Sequence, residues 1–389
     1  MSDVRTILIA PDSFKGSLSA RDVAEAMERG VRDVAPDCVA IKHPISDGGE
    51  GLVDILTYAL GGTVIATEVS GPLPGQRVTA RWGLSGDEST AIVEMAEAAG
   101  LPLVPEEQRD PKITTTYGVG ELIRAALDRG ISSLIIGIGG SATNDGGAGM
   151  AEALGVRFFD DSGKPLARGG ASLVRLQAID VSAKDWRIDQ VEAIVASDVQ
   201  NPLCGELGAS AVYGPQKGAT VDDVRTLDAA LCQYAEVIQS SLGIDVLSLP
   251  GAGAAGGLGA GLFAFCGAKI RRGIDVVLHV TKFEDDLRRA DLVITGEGKI
   301  DEQVKFGKAL AGVIERARRA SVPVVAVVGS VEGKPESFVS DQFLDDLESL
   351  VDENTTTEKA IRQAGSLIAE RTKHLLRRSL ARIGPRVHP

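Results

Sequence analysis

The sequence predicts an α/β protein of two domains. Two observations lead to this prediction. First, four polar segments that contain glycine stand next to apolar, strand-like runs or before helical patterns. Second, the chain of 389 residues is long for a single hydrophobic core. Open α/β sheets bind their ligands at the carboxyl ends of the strands. We therefore expect the functional residues in these four segments.

The N-terminal part alternates strands and helices. Residues 6–10 are an apolar run, followed by the first polar segment, APDSFKG at 10–16, and a helical pattern over 20–32. The second segment, SDGGEG at 46–51, stands directly before a helical pattern over 52–60. An apolar strand that ends in a polar turn and leads into a helix is typical of a parallel sheet.

The C-terminal part resumes this alternation after a long intervening stretch. The apolar run 292–295 is followed by the fourth segment, at 296–303, then by a helix that ends near residue 320 and a further apolar run over 322–328. Between the two parts, GPLPG at 71–75 breaks the pattern abruptly. The two terminal parts are therefore predicted to share one parallel sheet, with a second domain inserted between them.

The third segment, residues 137–150, joins an apolar run to a turn that is rich in glycine and carries two hydroxyls, an amide and a carboxylate. Glycines such as Gly139 and Gly140 let backbone N–H groups approach an anion closely, and a following helix adds partial positive charge, so the turn suits phosphate. Asp145 can hold a magnesium ion that bridges to a phosphate. The alternative is a tight turn in which Asn and Asp serve only as turn formers.

Six segments together resemble the bacterial type I glycerate kinases. They occur in the family's order from near residue 7 to near residue 330, so the resemblance covers most of the chain. The segments are APDSFKG (10–16), SDGGEG (46–51), GGSATNDGG (139–147), SDVQNPL (197–203), YGPQKG (213–218), and GEG (296–298) with Asp301 and Gln303. The resemblance implies ATP-dependent phosphorylation of D-glycerate, usually at the 2-hydroxyl. It also implies that residues 1–74 and 286–389 form a flavodoxin-like domain and that residues 75–285 form an inserted α/β domain.

The catalytic residues are predicted from what phosphoryl transfer requires, namely a metal that neutralises charge, donors around the γ-phosphate and a carboxylate to take the alcohol proton. Lys15 is predicted to stabilise the charge on the transferring group. Asp198 is predicted to be the base or a ligand of a magnesium-bound water, and Asp47 a further catalytic carboxylate. The alternative for Asp198 is a structural Asx turn before Pro202.

The binding residues are predicted on the same segments. Substrate or phosphate contacts are expected from Asp12, Ser13, Gly139, Gly140, Ser141, Thr143, Asn144, Asn201 and Lys217. Nucleotide contacts are expected from Gly296, Glu297, Asp301, Gln303 and Lys308, and metal contacts from Asp145 and Asp198. The expected cofactors are ATP and Mg²⁺. The family usually has a hydroxyl residue after Gln303, and Val304 stands there in this chain, so any contact from that side chain is missing.

Composition indicates which binding partners and which cellular compartment to expect. A net charge of −13 argues against nucleic acid, whose phosphates require a basic surface. The four cysteines are scattered, which favours a reducing compartment such as the cytoplasm. They form no CxxC pair, which argues against a zinc site. Neither a signal-peptide pattern nor an apolar run of membrane-spanning length occurs. We expect a cytoplasmic enzyme and leave a homodimer open. The four histidines match no motif, and His43, beside Pro44, is interpreted as structural.

Three alternatives in function stay open at this stage. For a glycerate kinase, the sequence does not resolve whether the 2-hydroxyl or the 3-hydroxyl of D-glycerate accepts the phosphoryl group. GAGAAG at 251–256 matches the dinucleotide pattern GxGxxG, which would indicate an NAD-dependent hydroxy-acid dehydrogenase. Close packing of small residues is the competing interpretation of this stretch, because the strand that should precede it is short and poor. The third alternative is a non-catalytic sugar-acid binding protein on the same fold.

Overall fold

A computed structural model describes residues 6–301, 309–340 and 342–381. Its contacts divide the chain into two compact units. The terminal unit contains the chain up to Asp47 and from Ile274 onward, and the inserted unit spans Gly48–Gly273. The sequence-based boundaries were placed near residues 75 and 285. GPLPG at 71–75 lies instead in the turn of a β-hairpin within the inserted unit, where the N–H of Gly71 donates to the carbonyl of Gln76 at 2.9 Å.

Strands and helices follow one another along both units. Before the insertion come β1 (Thr6–Pro11), α1 (Ala20–Val34) and β2 (Val39–Lys42). The inserted unit contains α2 (Leu52–Ala59), β3 (Thr63–Ser70), β4 (Arg77–Leu84), β5 (Thr90–Glu94), α3 (Ala96–Ala99), α4 (Tyr117–Leu127), β6 (Ser133–Gly137), α5 (Ala148–Ala153), β7 (Arg157–Phe159), β8 (Ala178–Asp180), β9 (Glu192–Ala196), α6 (Ala209–Tyr213), α7 (Val221–Leu242), α8 (Leu258–Cys266) and β10 (Lys269–Arg271). The chain then continues with α9 (Gly273–Val280), α10 (Phe283–Leu287), β11 (Leu292–Gly296), β12 (Lys299–Ile300), α11 (Ala309–Arg319), β13 (Val324–Val328), β14 (Ser330–Val331), β15 (Asp346–Ser349), α12 (Thr357–Arg362) and α13 (Ala364–Ser379).

The terminal unit is built on a parallel five-stranded sheet in the order β2-β1-β11-β13-β15. Counted within the unit, this is the order 2-1-3-4-5 of the flavodoxin-like fold. The central strands β11 and β13 are buried along their whole length, as expected for parallel strands covered on both faces. The order reverses between β1 and β11, and this switch point is where such sheets bind ligands.

Helix α1 shows how the sequence determines the packing of this sheet. The Ser19 hydroxyl caps its first turn by accepting from the N–H of Asp22 at 3.2 Å. Val23, Met27 and Val31 recur every four residues and are fully buried, so one face of the helix joins the core. Gly30 lies so close to α13 that a side chain there would clash with the carbonyl oxygen of Ala369.

The inserted unit contains a mixed six-stranded sheet in the order β10-β9-β6-β5-β4-β3. Strands β10, β9, β6 and β5 run parallel, and β4 runs antiparallel to both of its neighbours, β5 and β3. The carboxyl ends of the four parallel strands therefore share one edge. Among the helices that the structure describes, none combines the length and the apolar character needed to cross a bilayer.

Candidate active site

A cavity of about 350 Å³ lies in the terminal unit at the carboxyl ends of β1 and β11, the switch point of the sheet. Six of the residues that line it were predicted from sequence to be functional: Asp12, Ser13, Lys15, Asp47, Glu297 and Asp301. The structure thus brings together residues from the first, second and fourth polar segments. Gln303 and Lys308, predicted to contact the nucleotide, lie outside the described residues.

The loop after β1 is held in place by backbone hydrogen bonds to both neighbouring strand ends. The N–H of Asp12 donates to the carbonyl of Gly296 at 2.8 Å, and the carbonyl of Pro11 accepts from Ile45 at 2.9 Å. The Asp12 carboxylate accepts from the N–H of Ser13 at 2.6 Å. Lys15 follows on an exposed turn at the cavity wall. The local fold therefore fixes Asp12 and leaves the Lys15 ammonium accessible.

The loop after β11 is held by β13 on its other side. The carbonyls of Glu297 and Gly298 accept from the N–H groups of Gly329 and Ser330 at 3.0 and 3.1 Å. A side chain at Gly296 would clash with the carbonyl oxygen of Val327. Gly296 therefore serves close packing of the backbone, while the neighbouring Glu297 is buried and lines the cavity.

Burial and a neighbouring carboxylate alter the acidity of Asp12. Burial, together with the nearby Asp47 carboxylate, raises the pKa of Asp12 to about 7, although the Ser13 N–H and the Lys15 charge oppose the shift. A carboxyl group with a pKa near neutrality can accept a proton and release it again at physiological pH. Perturbed carboxyl groups in a cleft are typical of functional sites.

Sequence reasoning missed the wall that the C-terminal part contributes. Thr357 and Ile361 on α12 line the cavity, and the Ser17 hydroxyl donates to the carbonyl of Ile361 at 3.0 Å. The helical pattern of this region gave no signal for such a role, because a short amphipathic helix has the same pattern wherever it packs.

In the inserted unit, the turn after β6 exposes its glycines and buries its polar side chains. Gly139 and Gly140 are exposed, and Gly140 has a φ of +71°. By contrast, Ser141, Thr143 and Asn144 are buried. Among these predicted phosphate ligands, the glycine backbone is therefore the accessible part of the turn.

Lys217 supports this turn from inside. Its side chain is only 1% exposed, and its ammonium donates to the Ser141 hydroxyl at 2.8 Å and the Thr143 carbonyl at 2.7 Å. Burial lowers the pKa of Lys217 to about 7, and the Asp145 charge partly offsets this effect. The expectation that Lys217 contacts a substrate anion directly does not fit this burial; the lysine holds the loop that carries Gly139 and Gly140.

Asp145 is likewise engaged within the protein. Its carboxylate accepts from the N–H and the hydroxyl of Thr116, from the N–H of Gly147 at 3.1 Å and from the N–H of Gly149 at 3.2 Å. These donors bind both carboxylate oxygens, so the predicted magnesium role does not fit its surroundings. Within the described ranges, no group of three His, Cys, Asp or Glu side chains is arranged to hold a metal.

The turn after β9 contains the other two predicted residues of this unit. The Asp198 carboxylate accepts from the N–H of Gly273 at 3.0 Å, which connects the ends of β9 and β10. The amide of Asn201 donates to the carbonyl of Leu207 and accepts from the Tyr213 hydroxyl, both at 2.8 Å. Asn201 therefore helps to fix the loop that leads into α6, and its contact with the substrate stays a prediction.

Residues 48–51 cross the carboxyl ends of β6 and β9. An added Cβ at Gly48 would lie 3.0 Å from the Cβ of Ala196, and one at Gly139 would lie 3.0 Å from the Cα of Gly49. Glycine is needed at these positions because two backbones approach closely, and at Gly48 also because φ is +90°. Residues 48–51 therefore pack closely against the carboxyl ends of β6 and β9 and the start of the turn after β6.

Glu94, at the end of β5, is a buried acid that sequence reasoning did not single out. Its carboxylate caps α2 by accepting from the N–H of Val53 at 2.7 Å. Burial raises the pKa of Glu94 to about 7, and Glu97 adds to the shift. A charged residue directly after an apolar strand run was the available signal.

GAGAAG at 251–256 packs against the turn after β6. A side chain at Gly256 would clash with the carbonyl oxygen of Thr143, and one at Gly257 would lie 2.8 Å from the Cα of Gly146. In the described structure, the element before this stretch is α7, whereas a dinucleotide site needs a strand there. The interpretation as close packing of small residues agrees with this geometry.

The fold is that of an α/β protein with a cavity at the switch point of a flavodoxin-like sheet, which is where such sheets bind ligands. Comparison with known proteins gives the family, because the model of the glycerate kinase family matches residues 7–380. The chain belongs to the glycerate kinase family and is a kinase, as its sequence motifs predicted.

Relatives match along nearly the whole chain. The glycerate 2-kinase of Escherichia coli (strain K12) is 46% identical over 369 residues, covering 95% of this chain and 96% of that protein. The glycerate kinase of Bacillus subtilis (strain 168) is 50% identical over 366 residues, covering 94% and 95%. A crystal structure of a candidate glycerate kinase 2 from Salmonella typhimurium LT2 has a TM-score of 0.85 at 48% identity and covers 98% of both chains.

Proposed function

We propose that this protein transfers the γ-phosphoryl group of ATP to the 2-hydroxyl of D-glycerate, giving 2-phospho-D-glycerate and ADP. The observation that carries the proposal is the cavity at the switch point, which is lined by Asp12, Lys15 and Asp47 together with Glu297 and Asp301. The 2-hydroxyl is chosen because the relative from Escherichia coli is named a glycerate 2-kinase.

In the proposed reaction, the alcohol oxygen forms the new bond to the γ-phosphorus while the bond to the leaving ADP oxygen breaks. Asp12 takes the alcohol proton, since its pKa of about 7 leaves much of it ionised at neutral pH. The exposed Lys15 ammonium stabilises the charge on the transferring group. Asp198 was predicted as the base or as a ligand of a magnesium-bound water; with Asp12 as the base, the second role is the one that we retain as a prediction.

The composition of the cavity fits a magnesium ion. Four carboxylates line it, Asp12, Asp47, Glu297 and Asp301, against two lysines, Lys15 and Lys299. An acidic cavity can accept the polyanion ATP only with a compensating cation, and Mg²⁺ at phosphate substrates needs just one or two carboxylates. Asp47 and Glu297 would hold Mg²⁺, which when bound neutralises charge on the phosphates.

We place the nucleotide at Glu297 and Asp301, on the loop after β11, and retain Gln303 and Lys308 as predicted contacts. The exposed backbone of Gly139 and Gly140 is retained as a predicted phosphate contact of the inserted unit. A cytoplasmic location and a homodimer are kept as proposals.

An ADP-release assay with D-glycerate, ATP and Mg²⁺ tests the function. We expect glycerate-dependent release, and a fall in kcat of about 100-fold for Lys15→Met, because one lost charge-stabilising donor costs roughly this factor. Lys334→Met is the matched control, since Lys334 is an exposed lysine of the same unit outside the cavity wall. Absence of turnover with NAD binding would indicate the dehydrogenase, and absence of turnover with tight glycerate binding would indicate a sugar-acid binding protein.

A further inference from the structure

His43 is a buried histidine that no motif assigned to the reaction. It follows β2, and its side chain is 7% exposed. The N–H of His43 donates to the carbonyl of Ile9 at 2.8 Å, and Ile45 donates to Pro11 at 2.9 Å, so this stretch runs alongside β1 to the cavity. Asp47, which lines that cavity, lies at the end of the same stretch.

Both ring nitrogens of His43 are engaged by the segment after the insertion. Nδ1 lies 3.0 Å from the carboxylate of Asp286, and Nε2 lies 2.6 Å from the hydroxyl of Thr281. The ring also packs edge-on against Phe283, with centroids 5.1 Å apart. An ionised carboxylate only accepts hydrogen bonds, so Nδ1 carries a proton and the tautomer is fixed.

This anchor persists in either charge state of the ring. In the neutral form, the Thr281 hydroxyl donates to Nε2. In the protonated form, Nε2–H donates to that hydroxyl, which then donates to the carbonyl of Val277, 2.7 Å away. Burial lowers the pKa of His43, against the effects of the Asp286 and Glu284 carboxylates, so the neutral form prevails at neutral pH.

Packing further defines the stretch from His43 to Asp47. Ile45 and Ser46, which lie between the two, are almost fully buried. Together with the backbone hydrogen bonds to Ile9 and Pro11, this burial determines the path of the chain from His43 to Asp47.

We propose that His43 is a positioning residue for phosphoryl transfer: anchored by Asp286 and Thr281, it fixes the stretch that holds Asp47 in the cavity beside Asp12. This inference rests on the proposed function. Displacements of about 1 Å at a reacting site cost up to about 100-fold in rate, so a loosened Asp47 lowers kcat even though His43 itself touches no substrate.

The test compares two substitutions of the same ring. His43→Phe keeps an aromatic ring of similar size and removes both hydrogen bonds, and we expect kcat to fall by about 10-fold or more, with KM values for ATP and D-glycerate changed less than about 2-fold. His43→Asn keeps a donor close to the position of Nδ1, and we expect it to restore most of the lost kcat. His279→Asn is the control, because His279 is exposed on the neighbouring helix α9.

A double-mutant cycle connects the effect to Asp47. In an Asp47→Asn background, His43→Phe should cause little further loss of kcat, because the group that it positions is gone. If His43→Phe is too unstable to assay, Thr281→Val removes only the partner of Nε2 and should lower kcat by about 2- to 5-fold.

Wild-type kcat in folded His43→Phe or Thr281→Val would overturn the inference, as would an undiminished effect in the Asp47→Asn background. Equal losses in His43→Asn and His43→Phe would also contradict it, since they would indicate a role in packing alone. Failure of the proposed function is recognised separately, because the wild-type protein would then release no ADP in response to D-glycerate.

Discussion

At the scale of single residues, Asp12 has the most informative surroundings. It lies among like charges at the end of a buried strand, and its pKa is raised from 3.8 to about 7. A raised pKa means that the folded protein holds the proton more tightly than the unfolded chain does. Between pH 3.8 and about 7 the free energy of unfolding therefore falls as pH rises, and it stays reduced at higher pH.

Asp12→Asn tests this assignment through both stability and activity. Without nucleotide and Mg²⁺, we expect the variant to have a higher Tm than the wild type at pH 8 and a smaller gain at pH 5. We expect kcat to fall by about 100- to 10,000-fold, as for loss of a general base, and wild-type kcat/KM to decline below pH about 7. Thermal unfolding at both pH values measures Tm, steady-state kinetics measure kcat of the variant, and the pH profile of kcat/KM is recorded for the wild type.

The control for this experiment is Asp37→Asn, because Asp37 is an exposed acid of the same unit. It should change neither kcat nor the pH dependence of Tm. An Asp12→Asn variant with a lower Tm at pH 8, or with near wild-type kcat, would show that Asp12 is a structural acceptor for the Ser13 N–H.

Sequence could identify the residues of the cavity, but not the orientation of every side chain. Asp12, Lys15 and Glu297 were predicted because residues that follow parallel strands meet at one edge of a sheet. Lys217 was predicted as a ligand contact, yet it is buried and holds a loop from inside. Whether a polar side chain in a motif points to solvent or into the core depends on long-range packing, which a local pattern does not contain.

At the scale of elements, the glycine-rich stretches are surfaces where backbones meet. Gly256, before α8, lies against the turn after β6, and its φ of +66° is also unfavourable for other residues. The pattern GxGxxG does not distinguish this use of glycine from dinucleotide binding. In the described chain, helix α7 precedes this stretch, whereas a dinucleotide site needs a strand there, so the geometry favours close packing.

Gly256→Ala should therefore destabilise the protein by roughly 2–5 kcal/mol, from backbone strain and overpacking together. Gly267→Ala is the matched control: Gly267 has a φ of +61° at the end of α8, but open space surrounds the position of its Cβ. The control should cost only the strain, about 1–2 kcal/mol. Urea unfolding measures both, and equal losses would contradict the close packing.

The sequence predicted the strands and helices of the terminal unit, where the two alternate. It did not predict the hairpin of β3 and β4 in the inserted unit. GPLPG at 71–75 was interpreted as a break between domains, whereas β3 and β4 pair across it. Glycine and proline signal a change of chain direction, but they do not indicate whether the next strand belongs to the same sheet.

At the scale of the whole molecule, the terminal parts of the chain form one parallel sheet with flavodoxin-like strand order. Sequence indicated this because the strand-turn-helix pattern of the first residues reappears after the insertion. The extent of each unit depends on contacts that α2 and β3 make with β4 and β5, and these have no local signature in the sequence.

We propose that this kinase phosphorylates D-glycerate at the 2-hydroxyl. The most direct test is phosphorus NMR of the product formed from D-glycerate, ATP and Mg²⁺ by the wild-type protein. We expect the signal of 2-phospho-D-glycerate, formed in an amount equal to the ADP released. A signal of 3-phospho-D-glycerate, or ADP release without any phosphoglycerate, would contradict it.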